Sequence, residues 1–131
     1  MVTSKVQKQS KKFIFVFLLT IIIIRFLIFF IPKLIQETNI IWADKFHHIF
    51  IGIILLVIYP TIKGKKYSSN ILAISLGLII DQIAATPFYI ADVINKPLAP
   101  YSFWYSWSPY NLIATTILII ISMILINKYK K

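Results

Sequence analysis

A chain of 131 residues, 59% of them hydrophobic and only 14% charged, carries more apolar surface than a soluble domain of that size can bury. The mean hydropathy of +0.82 says the same. The formal net charge of +10 comes from lysines gathered at the ends of apolar runs, which excludes a nucleic-acid partner because charge is the only feature of such proteins present. With no cysteine there is neither a disulfide framework nor a thiolate metal site.

The first apolar run, FIFVFLLTIIIIRFLIFFI at 13–31, holds one charge, Arg25, and is closed by Pro32. At about 1.5 Å per residue it crosses a hydrocarbon core of about 30 Å. It is too long for a signal-peptide core and no small-residue cleavage site follows it, so it reads as a retained helix. A second run is predicted over 42–62, with Pro60 near its end. A third occupies 69–86, after Ser68-Ser69 and up to Pro87. A fourth covers 109–127, entered through Ser108-Pro109, a cap residue followed by proline at the first helical position. The connection 88–108 is rich in Tyr and Trp and reads as a segment on the outer membrane surface, with a short interfacial helix at 88–95. The expected fold is therefore all-α, a polytopic bundle of four transmembrane helices forming one membrane domain over 1–131.

Ten of the fourteen Lys and Arg residues fall in the N-terminal tail, the 63–66 loop and the C-terminal tail. Four crossings with both termini in the cytoplasm put all three groups on the positive side of the cell membrane, where they also meet anionic headgroups. Trp42, Tyr89, Tyr101, Trp104, Tyr105, Trp107 and Tyr110 then form an outer aromatic belt.

A charge in a membrane helix costs about 2.5–3.5 kcal/mol on insertion scales, so each needs a partner or a purpose. Arg25 and Asp81 lie at equal depth, about 18 Å from the cytoplasmic edge, because each is twelve residues into a helix running outward. An ion pair between them is feasible. Helical spacing places Asn70, Ala73, Gly77, Asp81 and Ala84 on one stripe of the third helix, and Asp44, His48, Gly52, Leu55 and Tyr59 on one stripe of the second, with His47 beside it. Asn111, Thr115 and Ser122 do the same on the fourth. An outward-facing cluster of Asp44, His47, His48, Asp81, Gln82 and Arg25 follows, with Asn111 and Tyr105 as further ligand contacts. Asp81, His48 and His47 are the residues with acid–base capacity. His48 and Asp81 are also the candidates for a divalent metal, the weaker reading because adjacent histidines point about 100° apart on a helix. No cofactor is otherwise implied. The bland alternatives are an interfacial histidine bonded to Asp44, a structural Arg25–Asp81 pair and Gln82 as glue between helices.

The run ADKFHHIFIGIILL, then LGLIIDQI, then a polar-aromatic segment before a last helix, resembles the VanZ-like membrane proteins. Those carry Asp-Lys and His at one helix start and an Asp-Glu pair in a later helix; here Gln82 takes the place of the glutamate, and only Asn111 remains of an Asp-then-Asn motif. The chain is also similar to small prokaryotic membrane proteins of unknown function with a His-His pair, an Asp-Glu helix and a Tyr-Trp-Ser segment, for which YSFWYSWSP at 101–109 stands. Both likenesses span about residues 42–127. The first implies association with the cell envelope or glycopeptide resistance, and the second no particular activity. Two functions compete: a binding or accessory membrane protein whose outer face meets a lipid or envelope ligand, and a small membrane enzyme acting on a lipid or envelope-precursor headgroup. A proton or ion path through Arg25, Asp81 and His48 is third. No hydrolase elbow, HExxH or phosphate-cradling loop is present, which favours the first. Oligomeric state is not encoded in any feature of the sequence.

Overall fold

The computed structural model describes residues 2–38, 48–94 and 108–129, and every element among them is helical: α1 (Val2–Thr38), α2 (Ile49–Ile62), α3 (Ser68–Ile83), α4 (Thr86–Val93) and α5 (Pro109–Tyr129). No strand occurs among the described residues. Among them, Gln7–Phe30 of α1 and the whole of α5 are long and apolar enough to cross a membrane, while α2 and α3 are shorter apolar helices.

α1 departs from expectation at its proline: it has 37 residues and runs through Pro32 rather than stopping there. α2, predicted over 42–62 from the sequence, passes Pro60 to end at Ile62. A proline inside a helix removes one ladder bond and crowds the carbonyl four residues back, yet the turns on either side still bond normally and carry the helix on. The basic head of α1 is helical as well, because its Lys and Gln are good helix formers and no Gly or Pro interrupts them. Residues 42–47, the expected start of α2, lie outside the described residues.

At the end of α3 a proline does break the helix. Pro87 has no N–H to give to Ile83 and crowds its carbonyl. The chain tightens at Ala84-Ala85, where the Ala85 N–H donates to Gln82 O at 3.0 Å and the Thr86 hydroxyl donates to the same oxygen at 3.0 Å. The helix then resumes as α4, starting at Thr86, two residues before the expected interfacial helix at 88–95. The turn from α2 to α3 needs Gly64, whose φ of 92° lies in the left-handed region that glycine enters without a Cβ clash.

α3 is the centre of the bundle, touching α1, α2, α4 and α5. Two glycines permit the closest approaches. A Cβ on Gly77 would lie 3.0 Å from Phe17 O and from Thr20 Cβ of α1. A Cβ on Gly52 of α2 would lie 2.8 Å from Ile79 Cγ1 and 3.0 Å from Ser75 O of α3. Small residues bring membrane helices together in this way. Phe13, Phe17, Ile21 and Ala73 form the buried apolar cluster, with Leu72, Leu76, Ile119 and Ile126 packed on it.

The pairings fix the helix directions. Along α1 and α3, Phe17 meets Gly77 and Arg25 meets Asp81, so both helices run the same way. α2 runs opposite to α3, since Ile49 bonds to Gln82 while Gly52 bonds to Ser75. α5 also runs opposite to α1, with Asn111 and Thr115 against Arg25 and Ile126 at the Phe13 cluster. The chain thus passes up, down, up and down. The N-terminal part of α1, the 63–67 turn and the end of α5 gather at one end, the basic end. Arg25, His48, Asp81, Asn111 and α4 gather towards the other, the polar end.

Around this core the outer faces are apolar and exposed. Phe15, Phe26, Phe29 and Phe30 of α1, Ile54 and Val57 of α2, and Ile113, Ile117 and Ile124 of α5 all point away from the bundle.

Candidate functional site

The site is built where three helix termini meet at the polar end. α2 and α5 begin there, and α3 ends there. Each beginning leaves N–H groups without a partner in its own ladder, and each end leaves carbonyls. The side chains singled out by the sequence satisfy these backbone groups as well as one another.

At the start of α2, Gln82 Oε1 accepts the Ile49 N–H at 3.2 Å. At the start of α5, Ser108 Oγ accepts the Asn111 N–H at 3.1 Å, the cap that Ser-Pro at 108–109 leads one to expect. At the end of α3, Asp81 O accepts from Arg25 Nη2 at 3.2 Å. A cation at a helix C-terminus is also favoured by the helix dipole.

Asp81 is the hub. Arg25 Nε donates to its Oδ1 at 2.5 Å, and His48 Nε2 lies 2.9 Å from its Oδ2. Each carboxylate oxygen is therefore held by a different helix. The Asp81 side chain is 1% exposed, that of Arg25 9% and that of His48 12%, so the histidine is the member nearest to the surroundings. Arg25 extends the network to α5 through Nη2, which donates to Asn111 Oδ1 at 2.8 Å and to Thr115 Oγ1 at 3.0 Å. Thr115 Oγ1 in turn donates to Asn111 Oδ1 at 3.2 Å. Asp81 and Arg25 together thus tie all four long elements. Among the described residues, no buried side-chain nitrogen or oxygen lacks a partner.

The arrangement constrains the chemistry. With Asp81 as a carboxylate, which only accepts, the hydrogen between it and His48 is carried by Nε2. A neutral His48 is then held in the tautomer whose Nδ1 has the lone pair. Asp81 is spoken for twice over, which leaves it as an orienting group rather than a free base. His48 and Asp81, the metal candidates, bond directly to each other, and no group of three or more His, Asp or Glu that could hold a metal occurs among the described residues.

Of the residues expected to cluster, the structure brings together Arg25, His48, Asp81, Gln82 and Asn111. Asp44, His47 and Tyr105 lie outside the described residues, as do 95–107 of the aromatic segment. The small-and-polar stripe of α3 is buried at Ala73, Gly77 and Asp81. A second stripe went unnoticed in the sequence: Ser75, Leu78 and Gln82 are buried too, and face α2, with Ser75 Oγ donating to Gly52 O at 2.7 Å. The signal was present, since Gln82 next to Asp81 already required polar groups on two faces of one helix, as a central helix has.

No protein-family model matches the chain, and neither a curated protein nor a solved structure matches it.

Proposed function

We propose that the chain is a four-span membrane protein of the cell envelope, with both termini in the cytoplasm, that binds a lipid or envelope ligand at the polar end through His48. Three observations support the threading. The helices alternate in direction; the lysine-bearing segments share one end; and large apolar side chains cover the outside. Among the described residues, Gln7–Phe30 and Pro109–Tyr129 are long and apolar enough to span. At about 1.5 Å per residue, α2 and α3 cover about 21 and 24 Å, less than a core of about 30 Å. At the polar end α4 packs Tyr89 against Phe50 of α2 and Phe88 against Tyr110 of α5. The envelope assignment draws on the resemblance of the 42–127 segment described above.

The observation that carries the binding reading is the saturation of Asp81. Both its oxygens are engaged, one by Arg25 and one by His48, and His48 is the most exposed of the three. A second reading, a small membrane enzyme, draws on the same His48–Asp81 bond. A carboxylate that fixes the tautomer of an imidazole leaves Nδ1 as a general base for a headgroup hydroxyl or water. Binding ranks first because both oxygens of Asp81 are already engaged by Arg25 and His48.

The chain has no cysteine, which makes single-cysteine labelling clean. Cysteine placed at Lys65 should react with an impermeant maleimide only from the cytoplasmic side, and cysteine at Trp104 only from outside; labelling of both from one side would overturn the threading. For the ligand, protein extracted from its native membrane should carry co-purifying polar lipid or precursor, seen by mass spectrometry, that is lost in His48→Ala at unchanged abundance. An identical complement in both proteins would sink the binding role of His48.

A further inference from the structure

The basic end carries a feature that the polar-end site does not use. Lys8, Lys11 and Lys12 of α1, Lys63, Lys65 and Lys66 of the α2–α3 turn, and Lys128 of α5 are all exposed. Packing puts the three groups at one level, because Phe13 sits with Ala73 and with Ile126. The four acidic residues of the chain are Glu37, Asp44, Asp81 and Asp92, and none falls in 2–12, 63–67 or 127–131. These cations have no carboxylate among their sequence neighbours, and among the described residues the ion pairs formed are those of Asp81 with Arg25 and His48.

Aromatic groups mark the same level. Tyr67 and Tyr129 are 61% and 77% exposed, and the ammonium groups of Lys66 and Lys128 lie 5.5 and 5.8 Å from the centres of their rings. Tyrosines beside lysines at the edge of an apolar surface are the arrangement that membrane interfaces favour. α1 also continues to Val2.

We infer that this end is a three-part binding surface for anionic phospholipid headgroups, formed by the α1 head, the 63–67 turn and the end of α5. The lipid phosphates and the added headgroup charge supply the negative partners the chain lacks there. The apolar faces above hold the acyl chains, so a lipid is gripped at both its parts. A nucleic acid offers the phosphates without the chains.

The test uses the full chain in lipid bilayers of mixed phosphatidylglycerol and phosphatidylcholine, with spin-labelled lipids reporting the ratio of their association constants. Both leaflets have the same composition, so the result does not depend on which way the chain inserts or on His48. The wild type should prefer phosphatidylglycerol. Lys63→Gln, Lys65→Gln and Lys66→Gln together, or the equivalent triple at Lys8, Lys11 and Lys12, should reduce the preference by about fivefold or more, since one lysine near an anionic surface is worth about that factor. The matching arginine triples should restore it, with helix content by circular dichroism equal throughout. A ratio near one in the wild type, no fall in either glutamine triple, or a fall that arginine does not rescue would each overturn the proposal. So would tighter binding of a single-stranded RNA in competition with the anionic lipid.

Discussion

Arg25, Asp81 and His48 at the polar end each meet a partner on another helix, whereas the seven described lysines at the basic end meet no acidic one. The difference follows from what surrounds each set. A charge held inside an apolar bundle has no solvent to fall back on, so the protein itself must supply every partner. A lysine at the bundle's edge is exposed to its surroundings, and needs nothing from the chain. The same kind of residue is thus structural at one end and a contact surface at the other. Mutations should separate the two ends by the size of their effect on stability.

The largest effect belongs to Asp81. Asp81→Ala strands the Arg25 guanidinium inside the bundle and leaves His48 without its acceptor, and removing one partner of a buried pair costs about 3–5 kcal/mol. Thermal unfolding in a fixed detergent, read by loss of helix signal, should show a large drop. The comparison sharpens with the double variant Arg25→Leu/Asp81→Leu, in which no charge is stranded. It should recover most of the loss, because an apolar pair of similar volume often matches a buried ion pair. A double variant as unstable as Asp81→Ala would mean that the hydrogen bonds to Asn111 and Thr115, rather than charge pairing, hold the helices at this level.

Next come the two glycines. At Gly77 a side chain would press on Phe17 O and Thr20, and at Gly52 on Ser75 O and Ile79. Backbone atoms cannot move aside as side-chain tips do, so Gly77→Leu and Gly52→Leu should each cost about 1–3 kcal/mol through overpacking. Gly52→Leu should also disturb the Ser75–Gly52 bond and, through it, the seat of His48. The same unfolding assay ranks them, and an unchanged midpoint for either would show that the helices do not approach as closely as described.

How far the sequence alone reached is instructive at these same residues. Arg25 and Asp81 stood out because a charge in an apolar run is rare, and equal helical depth made a pair feasible without showing that their helices face each other. His48 joined them through its position at a helix start. Gly77 and Asp81 shared a stripe that the 3.6-residue period made visible. What could not be read was anything decided between helices. Pro32 looked like a stop, yet α1 continues through it to Thr38. Gln82 could be read as a ligand contact or as glue between helices; its carbonyl serves the first turn of α2, a partner that depends on which helix end lies opposite. Ser75 escaped notice because one small hydroxyl in an apolar helix gives no period of its own.

Ser108 tests a smaller term at the polar end. Its hydroxyl caps α5 through the Asn111 N–H, and removing such a cap costs about 1 kcal/mol. Ser108→Ala should lower the unfolding midpoint modestly, and Ser108→Asp should restore it. Asn111 also accepts from Arg25, so fraying of this turn would loosen the whole network. Coupling between Ser108→Ala and Arg25→Leu, measured as a departure from additivity, would reveal it.

The smallest effect on stability should come from the basic end. Lys66 is exposed, and its ammonium group faces the ring of Tyr67 rather than a carboxylate. Lys66→Gln removes a charge that its neighbours Lys63 and Lys65 repel, and substitutions at such sites usually stay within about 0.5 kcal/mol. Its unfolding midpoint should match the wild type or rise slightly, most visibly at low salt, where repulsion among the lysines is least screened. A drop comparable with that of Ser108→Ala would contradict the contrast between the two ends, since it would mean that Lys66 has a structural partner within the chain. Moving the assay from neutral detergent into anionic bilayers should reverse the sign: there the lysine gains a lipid partner in the folded state, and its loss should lower stability.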